Sequence, residues 1–307
     1  MHIYRINFLF LMLFATSNVF AAYYPTSSWE ISSPEDQQVR TDNVDALVNL
    51  AFLDDSTQAV VVIKNGKIIS EKYAEGYDKN SHGTSWSMAK SYYAALIGIS
   101  IDRGEIGGLD DKVGDYLTYF NDERSEITIR DLLDMSSGLD FPKDEHETMF
   151  FQEDHLKYAM GVGVEKSAGL KFEYNNVNSM LLGDILIATT GKKADVLLKE
   201  RILDPIGVTD YKLWKDENGN VLTYCCVDMS ARDYSKIGLL FSRNGNWDGK
   251  QLISKQYIDE TFQVVWDITP ERFTTLKRGY SLHCLLYTSP SPRDKRQSRM
   301  PASAWKK

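Results

Sequence analysis

The chain has 307 residues, of which 43% are hydrophobic and 25% charged, an ordinary globular composition that excludes a disordered or collagen-like polymer. Its length suits one large domain or two modest ones. The net charge is −8, and with residues 1–21 and 284–307 set aside, 28 basic and 42 acidic side chains leave −14; such a surface repels phosphates and anionic membranes, which argues against nucleic acid as a partner and favours a neutral or cationic small molecule.

Residues 1–21 read as a secretory signal. Arg5 supplies a positive start, residues 8–14 are apolar, and Val19-Phe20-Ala21 suits a signal peptidase. The apolar core is too short for a membrane span, so the mature protein is expected to be periplasmic or secreted, without stable membrane insertion. An uncleaved anchor is the alternative. Residues 43–53 predict a helix. Residues 58–63 and 67–73 predict a hairpin around Asn65-Gly66, a pair that favours a type I′ turn. Residues 59–63 are apolar throughout, as in a strand covered on both faces. From Ser87 to about Arg201 the signals are nearly all helical, at 87–102, 128–135, 178–188 and 194–202. Residues 142–151 read as an irregular loop whose acidic run, Asp144-Glu145-His146-Glu147, reads as solvated surface. Two more helices are expected at 230–241, capped by Ser230, and at 254–262. Strands first, helices in the middle and strands late predict an α+β fold: an antiparallel sheet backed by helices, with a helical region at about 87–203 inserted.

The chemistry concentrates at Ser87-Met88-Ala89-Lys90 and at Tyr174-Asn175-Asn176. A serine and a lysine three apart share a face when the stretch is helical. The amine can then take the hydroxyl proton, with a tyrosine from elsewhere as proton-transfer partner. Taken alone, Ser87 reads as a helix cap with Lys90 solvated, and Tyr174 as a core or surface aromatic. Ser303–Lys306 and Tyr119–Asn121 repeat the two patterns, but neither opens a strongly apolar helix as Ser87 and Tyr174 do. In the first helical turn, free N–H groups and the dipole favour an oxyanion and disfavour charge on Lys90. Burial would lower the Lys90 pKa further, as a base requires.

Other routes to hydrolysis lack support in the sequence. The five histidines show no metal-ligand spacing, and no G-x-S-x-G elbow, phosphate loop or dinucleotide fingerprint occurs. Neither a metal nor a cofactor is expected. Cys225 and Cys226 are adjacent, a poor arrangement for pairing with one another.

Trp86-Ser87-Met88-Ala89-Lys90-Ser91 resembles the serine beta-lactamase-related hydrolases. So do the segment from Ile127 through Asp131-Leu132-Leu133 to Met135-Ser136-Ser137-Gly138-Leu139, Phe172-Glu173-Tyr174-Asn175-Asn176 with Leu181-Leu182-Gly183, and Ala231-Arg232-Asp233-Tyr234 followed by Gly245-Asn246-Trp247-Asp248-Gly249-Lys250. The nearest branch is class C-like and includes 6-aminohexanoate-dimer hydrolases and esterases. The resemblance runs over residues 60–283. It implies an exported serine hydrolase that cleaves a small ester or amide in a cleft between the sheet and the helical region. Ser87 would be the nucleophile, Lys90 and Tyr174 the acid–base pair, Asn176 a hydrogen-bonding group for substrate or Lys90, and Trp86 a substrate-binding wall. A beta-lactamase or a D,D-peptidase would use the same parts. The family also carries a Lys/His-Ser/Thr-Gly triplet on a late strand, and no such triplet occurs here. That departure sets a non-catalytic exported binding protein beside the enzyme, and a chain without the strand is expected to be inactive. Residues 284–307 change character abruptly and resemble a translated sequencing adapter, so the domain is placed at 22–283.

Overall fold

In the computed structural model, which describes residues 23–141, 145–270 and 277–288, the Asn65-Gly66 pair makes the turn its composition dictates. Helix α1 (Thr41–Ala51) precedes the antiparallel hairpin of β1 (Ala59–Lys64) and β2 (Lys67–Tyr73). Asn65 and Gly66 both take positive φ, 53° and 85°, as a type I′ turn requires. Alternate residues of β1 serve two cores: Val61 and Ile63 pack into the main one, while Val60 and Val62 join Val44 and Val48 of α1 and Ile69 of β2. Both faces are therefore covered, as expected. The side chains stay only half-buried, and among the described residues no second strand pairs along β1.

Strand β3 (His82–Thr84) leads through a 3₁₀ turn, Trp86–Met88, into α2 (Ala89–Asp102). The sequence placed Ser87 in the first turn of this helix; it lies in the tighter turn that feeds the helix. Next come α3 (Ile129–Leu133), α4 (Glu145–Phe150), α5 (His155–Gly161), α6 (Asn176–Thr190) and α7 (Ala194–Leu198). Thr128 and Asp131 form a capping box that starts α3. The loop expected at 142–151 is corrected by α4, a stretch free of glycine and proline that is pinned by fully buried Met149. Residues 142–144 lie outside the described part. Helices α2 and α6 form the centre of the molecule. Each is apolar almost all round and buried over most of its length, the pattern of a helix surrounded by protein.

The second half alternates short strands with helices: β4 (Tyr211–Leu213), β5 (Val227–Ser230), α8 (Ala231–Ser242), β6 (Asn246–Trp247), β7 (Lys250–Gln251), α9 (Lys255–Thr261), β8 (Trp266–Asp267), β9 (Lys277–Ser281) and β10 (Cys284–Thr288). Ser230 and Ser254 cap α8 and α9, accepting from the backbone N–H groups of Asp233 and Tyr257. Among the described residues the pairings between these strands are all antiparallel, in the orders β3-β5-β4 and β10-β9-β8 beside two hairpins. Residues 284–288, set outside the domain by their composition, pair in register with β9. Cys226 takes a positive φ of 80°, and the sulfurs of Cys225 and Cys226 meet, against the expectation drawn from their adjacency. The expected signal segment lies outside the described residues. Among those residues no helix is long and apolar enough to cross a membrane. Helices inserted between antiparallel strands make this the expected α+β fold.

Candidate active site

Ser87 owes its position to β5. Ser85, two residues earlier, exchanges backbone and side-chain hydrogen bonds with Val227, each at 2.9 Å. This extends the β3–β5 pairing up to the turn. Trp86 then takes φ of +46°, a conformation that costs a bulky side chain on the order of 1–3 kcal/mol and gathers at functional sites. The turn leaves Ser87 exposed and sends Lys90, on α2, into the interior.

Lys90 is 1% exposed. Its Nζ lies 3.3 Å from Ser87 Oγ and donates to the carbonyl oxygen of Tyr224 at 2.7 Å. Burial pushes its pKa down to about 7, since a low-dielectric site disfavours the ammonium. The Tyr224 carbonyl acts in the opposite sense by stabilising the charged amine, and burial prevails. A lysine in this state holds a free lone pair in much of the population at neutral pH, beside a hydroxyl. The side chains of Ser87 and Tyr174 hydrogen-bond one another, which partly offsets the upward push of burial on the Tyr174 phenol. Lys90 Nζ lies 4.9 Å from the centre of the Tyr174 ring. The three side chains read as a catalytic set in the sequence thus meet at one point, although Tyr174 lies 87 positions beyond Ser87.

The two predicted binding residues are placed differently. Asn176 is the first residue of α6, directly after Asn175, whose side chain caps the helix by accepting from Val177 N. It is half-buried, two residues from Tyr174. Trp86 is 63% exposed rather than buried in the core, and its ring lies 6.3 Å from that of Trp214.

Four more residues shape the surroundings without any spacing signal in the sequence. The Tyr224 ring lies 5.7 Å from Lys90 Nζ, and its hydroxyl bonds buried His155 Nδ1 at 2.9 Å. Burial lowers the His155 pKa, so the neutral ring accepts from the phenol. Trp214 is held by Asp228, whose carboxylate accepts from its Nε1 at 2.8 Å and from Thr84 Oγ1 at 2.8 Å. His283 stands behind Lys90, its Nδ1 2.8 Å from Leu133 O and its Nε2 2.9 Å from Ser179 Oγ. Burial, reinforced by the Lys90 charge, drives its pKa down to about 3. It is therefore a neutral ring that donates from Nδ1 to the carbonyl and accepts at Nε2. The only sequence cue for Trp214 is an aromatic among charged neighbours, and the others carry none.

Comparison with known proteins finds similar sequences and folds. The Beta-lactamase family model matches residues 53–256. Curated relatives include an N-acetylmuramyl-L-alanine amidase of Bacillus subtilis, 27% identical over 177 residues that cover 48% of this chain and 40% of that protein. A D-aminopeptidase of Brucella anthropi is 28% identical over 178 residues, 52% of this chain and 33% of that protein. The chain thus spans less than half the length of these two relatives. Among solved structures, a Bacillus anthracis protein that carries the name 6-aminohexanoate-dimer hydrolase superposes with a TM-score of 0.67 at 20% identity, covering 88% of this chain and 79% of its own. With the family model matching more than half of its length and the fold shared, the chain belongs to the beta-lactamase family.

Proposed function

We propose that the protein is a serine hydrolase of the beta-lactamase type that cleaves a small ester or linear amide through an acyl-enzyme at Ser87. The observation that carries this reading is the 3.3 Å contact between an exposed serine hydroxyl and a fully buried lysine amine. Ser87 Oγ attacks the carbonyl carbon while its proton passes to Lys90 Nζ. Tyr174 gives its phenolic proton to the leaving oxygen or nitrogen and is reprotonated from Lys90. Water then attacks the acyl-enzyme by the reverse route, regenerating Ser87. The Ser87 N–H, in the turn that feeds α2, stabilises the oxyanion. Asn176 hydrogen-bonds the substrate or Lys90, and Trp86 contacts the substrate. The chemistry asks for no cofactor.

Support for an amide substrate comes from the similarity to proteins named as an amidase and an aminopeptidase. Export is part of the same proposal, with a signal over residues 1–21 and activity in the periplasm or outside the cell. Mass spectrometry after incubation with a fluorophosphonate should find one adduct, on Ser87, absent from Ser87→Ala. Labelling at another serine, or none at all, overturns the assignment. N-terminal sequencing of protein recovered from an exporting host should begin at residue 22.

A further inference from the structure

An unbroken arc of aromatic rings runs from Lys90 back to the residue beside Ser87. Lys90 Nζ lies 5.7 Å from the Tyr224 ring, and that ring lies 5.9 Å from His155. His155 is 6.2 Å from Phe150, Phe150 is 6.4 Å from Trp214, and Trp214 is 6.3 Å from Trp86. Both ends of the arc therefore close on the reactive pair. Its inner members, Tyr224 and His155, are buried, whereas Phe150 is 37% and Trp86 63% exposed. Large apolar side chains exposed as a group, rather than scattered, mark a surface that water leaves when a ligand arrives. Its middle member is also held in place. Trp214, half-buried between Phe150 and Trp86, is fixed through its indole N–H by Asp228, and Asp228 by Thr84, so this ring is preformed.

We propose that Trp86, Trp214 and Phe150 form an apolar binding wall at Ser87 that selects esters or amides carrying an extended alkyl chain or an aryl group beside the scissile carbonyl. This rests on Ser87 as the nucleophile. A flanking chain laid along the wall transfers its methylenes from water to aromatic carbon. Complete burial is worth roughly fourfold per methylene, and contact on one side roughly twofold.

The test is the ratio of kcat/KM for p-nitrophenyl hexanoate to that for the acetate, with hexyl and methyl acetate as a second series for the alcohol side. In at least one series the ratio should reach about tenfold or more for the wild-type protein. Trp214→Ala and Phe150→Ala should each lower it about threefold or more, while Trp214→Phe retains most of it. A ratio measured on one sample is independent of the folded fraction, so a damaged variant still reports. Ratios near one in both series, or ratios unchanged in both alanine variants, overturn the wall. A second readout avoids chemistry altogether. In Ser87→Ala, hexanamide should change tryptophan emission saturably at lower concentration than acetamide, and Trp214→Ala should abolish this difference. If that binding persists while no fluorophosphonate adduct forms on Ser87, the catalytic assignment falls and the wall stands. If Ser87-dependent turnover shows no chain-length preference, the wall falls and the catalytic assignment stands.

Discussion

Lys90 Nζ is tied at 2.7 Å to the backbone carbonyl of Tyr224, a residue 134 positions away. A lysine carries four rotatable bonds, and burial alone would not aim its amine. The carbonyl does so, fixing Nζ between β5's approach and the serine turn, 3.3 Å from Ser87 Oγ. Because the anchor is main chain, no side-chain pattern announces it.

The first consequence concerns pH. With the Lys90 pKa pushed down to about 7, the neutral amine gains tenfold in population per pH unit below 7 and saturates above it. The rate of Ser87 acylation by a fluorophosphonate should follow that curve. Burial raises the Tyr174 phenol above its ordinary 10.0, so no fall is expected before strongly alkaline pH. Lys90→Arg, charged throughout, should lose about 10²–10⁴-fold of the rate. A profile flat from pH 5 to 9 would remove Lys90 as the base.

The same burial has a cost in stability, and its sign is fixed. The unfolded chain holds the Lys90 proton up to about 10.5, whereas the folded state releases it near 7. The unfolded state binds more protons in that window, so stability rises with pH across it, and the full penalty applies below 7. Lys90→Met removes the penalty. Relative to wild type it should be more stable at pH 6 than at pH 9 by about 2–3 kcal/mol, read from urea midpoints at the two values. An equal effect at both would contradict a perturbed lysine.

Asp134 gives a prediction of opposite slope. Its carboxyl, buried and accepting from Leu282 N at 2.8 Å, is pushed up to about 6 by burial. The folded state keeps that proton to higher pH than the unfolded one, so this group lowers stability as pH rises from about 4 to 6. Asp134→Asn keeps an acceptor for Leu282 without the buried charge. It should gain about 3 kcal/mol over wild type at pH 8 and only about 0.5 kcal/mol at pH 4, by thermal or denaturant unfolding.

These cases show what was legible in the chain. Ser87, Lys90 and Tyr174 stood out because each opens or occupies an apolar helical stretch, and apolar periodicity is the strongest local signal. The capping serines Ser230 and Ser254 were readable for the same local reason. In 142–151, Pro142 and an acidic run hide a short helix that tertiary burial of Met149 holds. Trp214, Tyr224, His155 and His283 join the site through contacts between distant parts of the chain, such as Tyr224 to His155, 69 positions away, and to Lys90, 134 positions away. Contacts of that range leave no periodic trace. The exposure of Trp86 was equally unreadable, since it follows from a positive φ that nothing in its side chain predicts.

The last prediction concerns what holds α2, and with it Lys90, in register. Gly98 faces Tyr257 of α9, and a Cβ built there would meet ring atoms at 2.6 Å. The Tyr257 hydroxyl is in turn fixed by donating to Ala94 O at 2.6 Å, one turn earlier on α2. The ring is buried and tethered at its far end, so it has no room to yield. Replacing glycine by alanine in a helix interior ordinarily gains up to about 1 kcal/mol. Here overpacking of about 1–3 kcal/mol opposes that gain, and Gly98→Ala should be net destabilising. Gly98→Ala combined with Tyr257→Phe, which frees the ring to shift by removing its tether, should lose less than the sum of the two single changes in a double-mutant cycle of urea unfolding. Strict additivity, or a stabilised Gly98→Ala, would mean that α9 does not pack against α2 in this way.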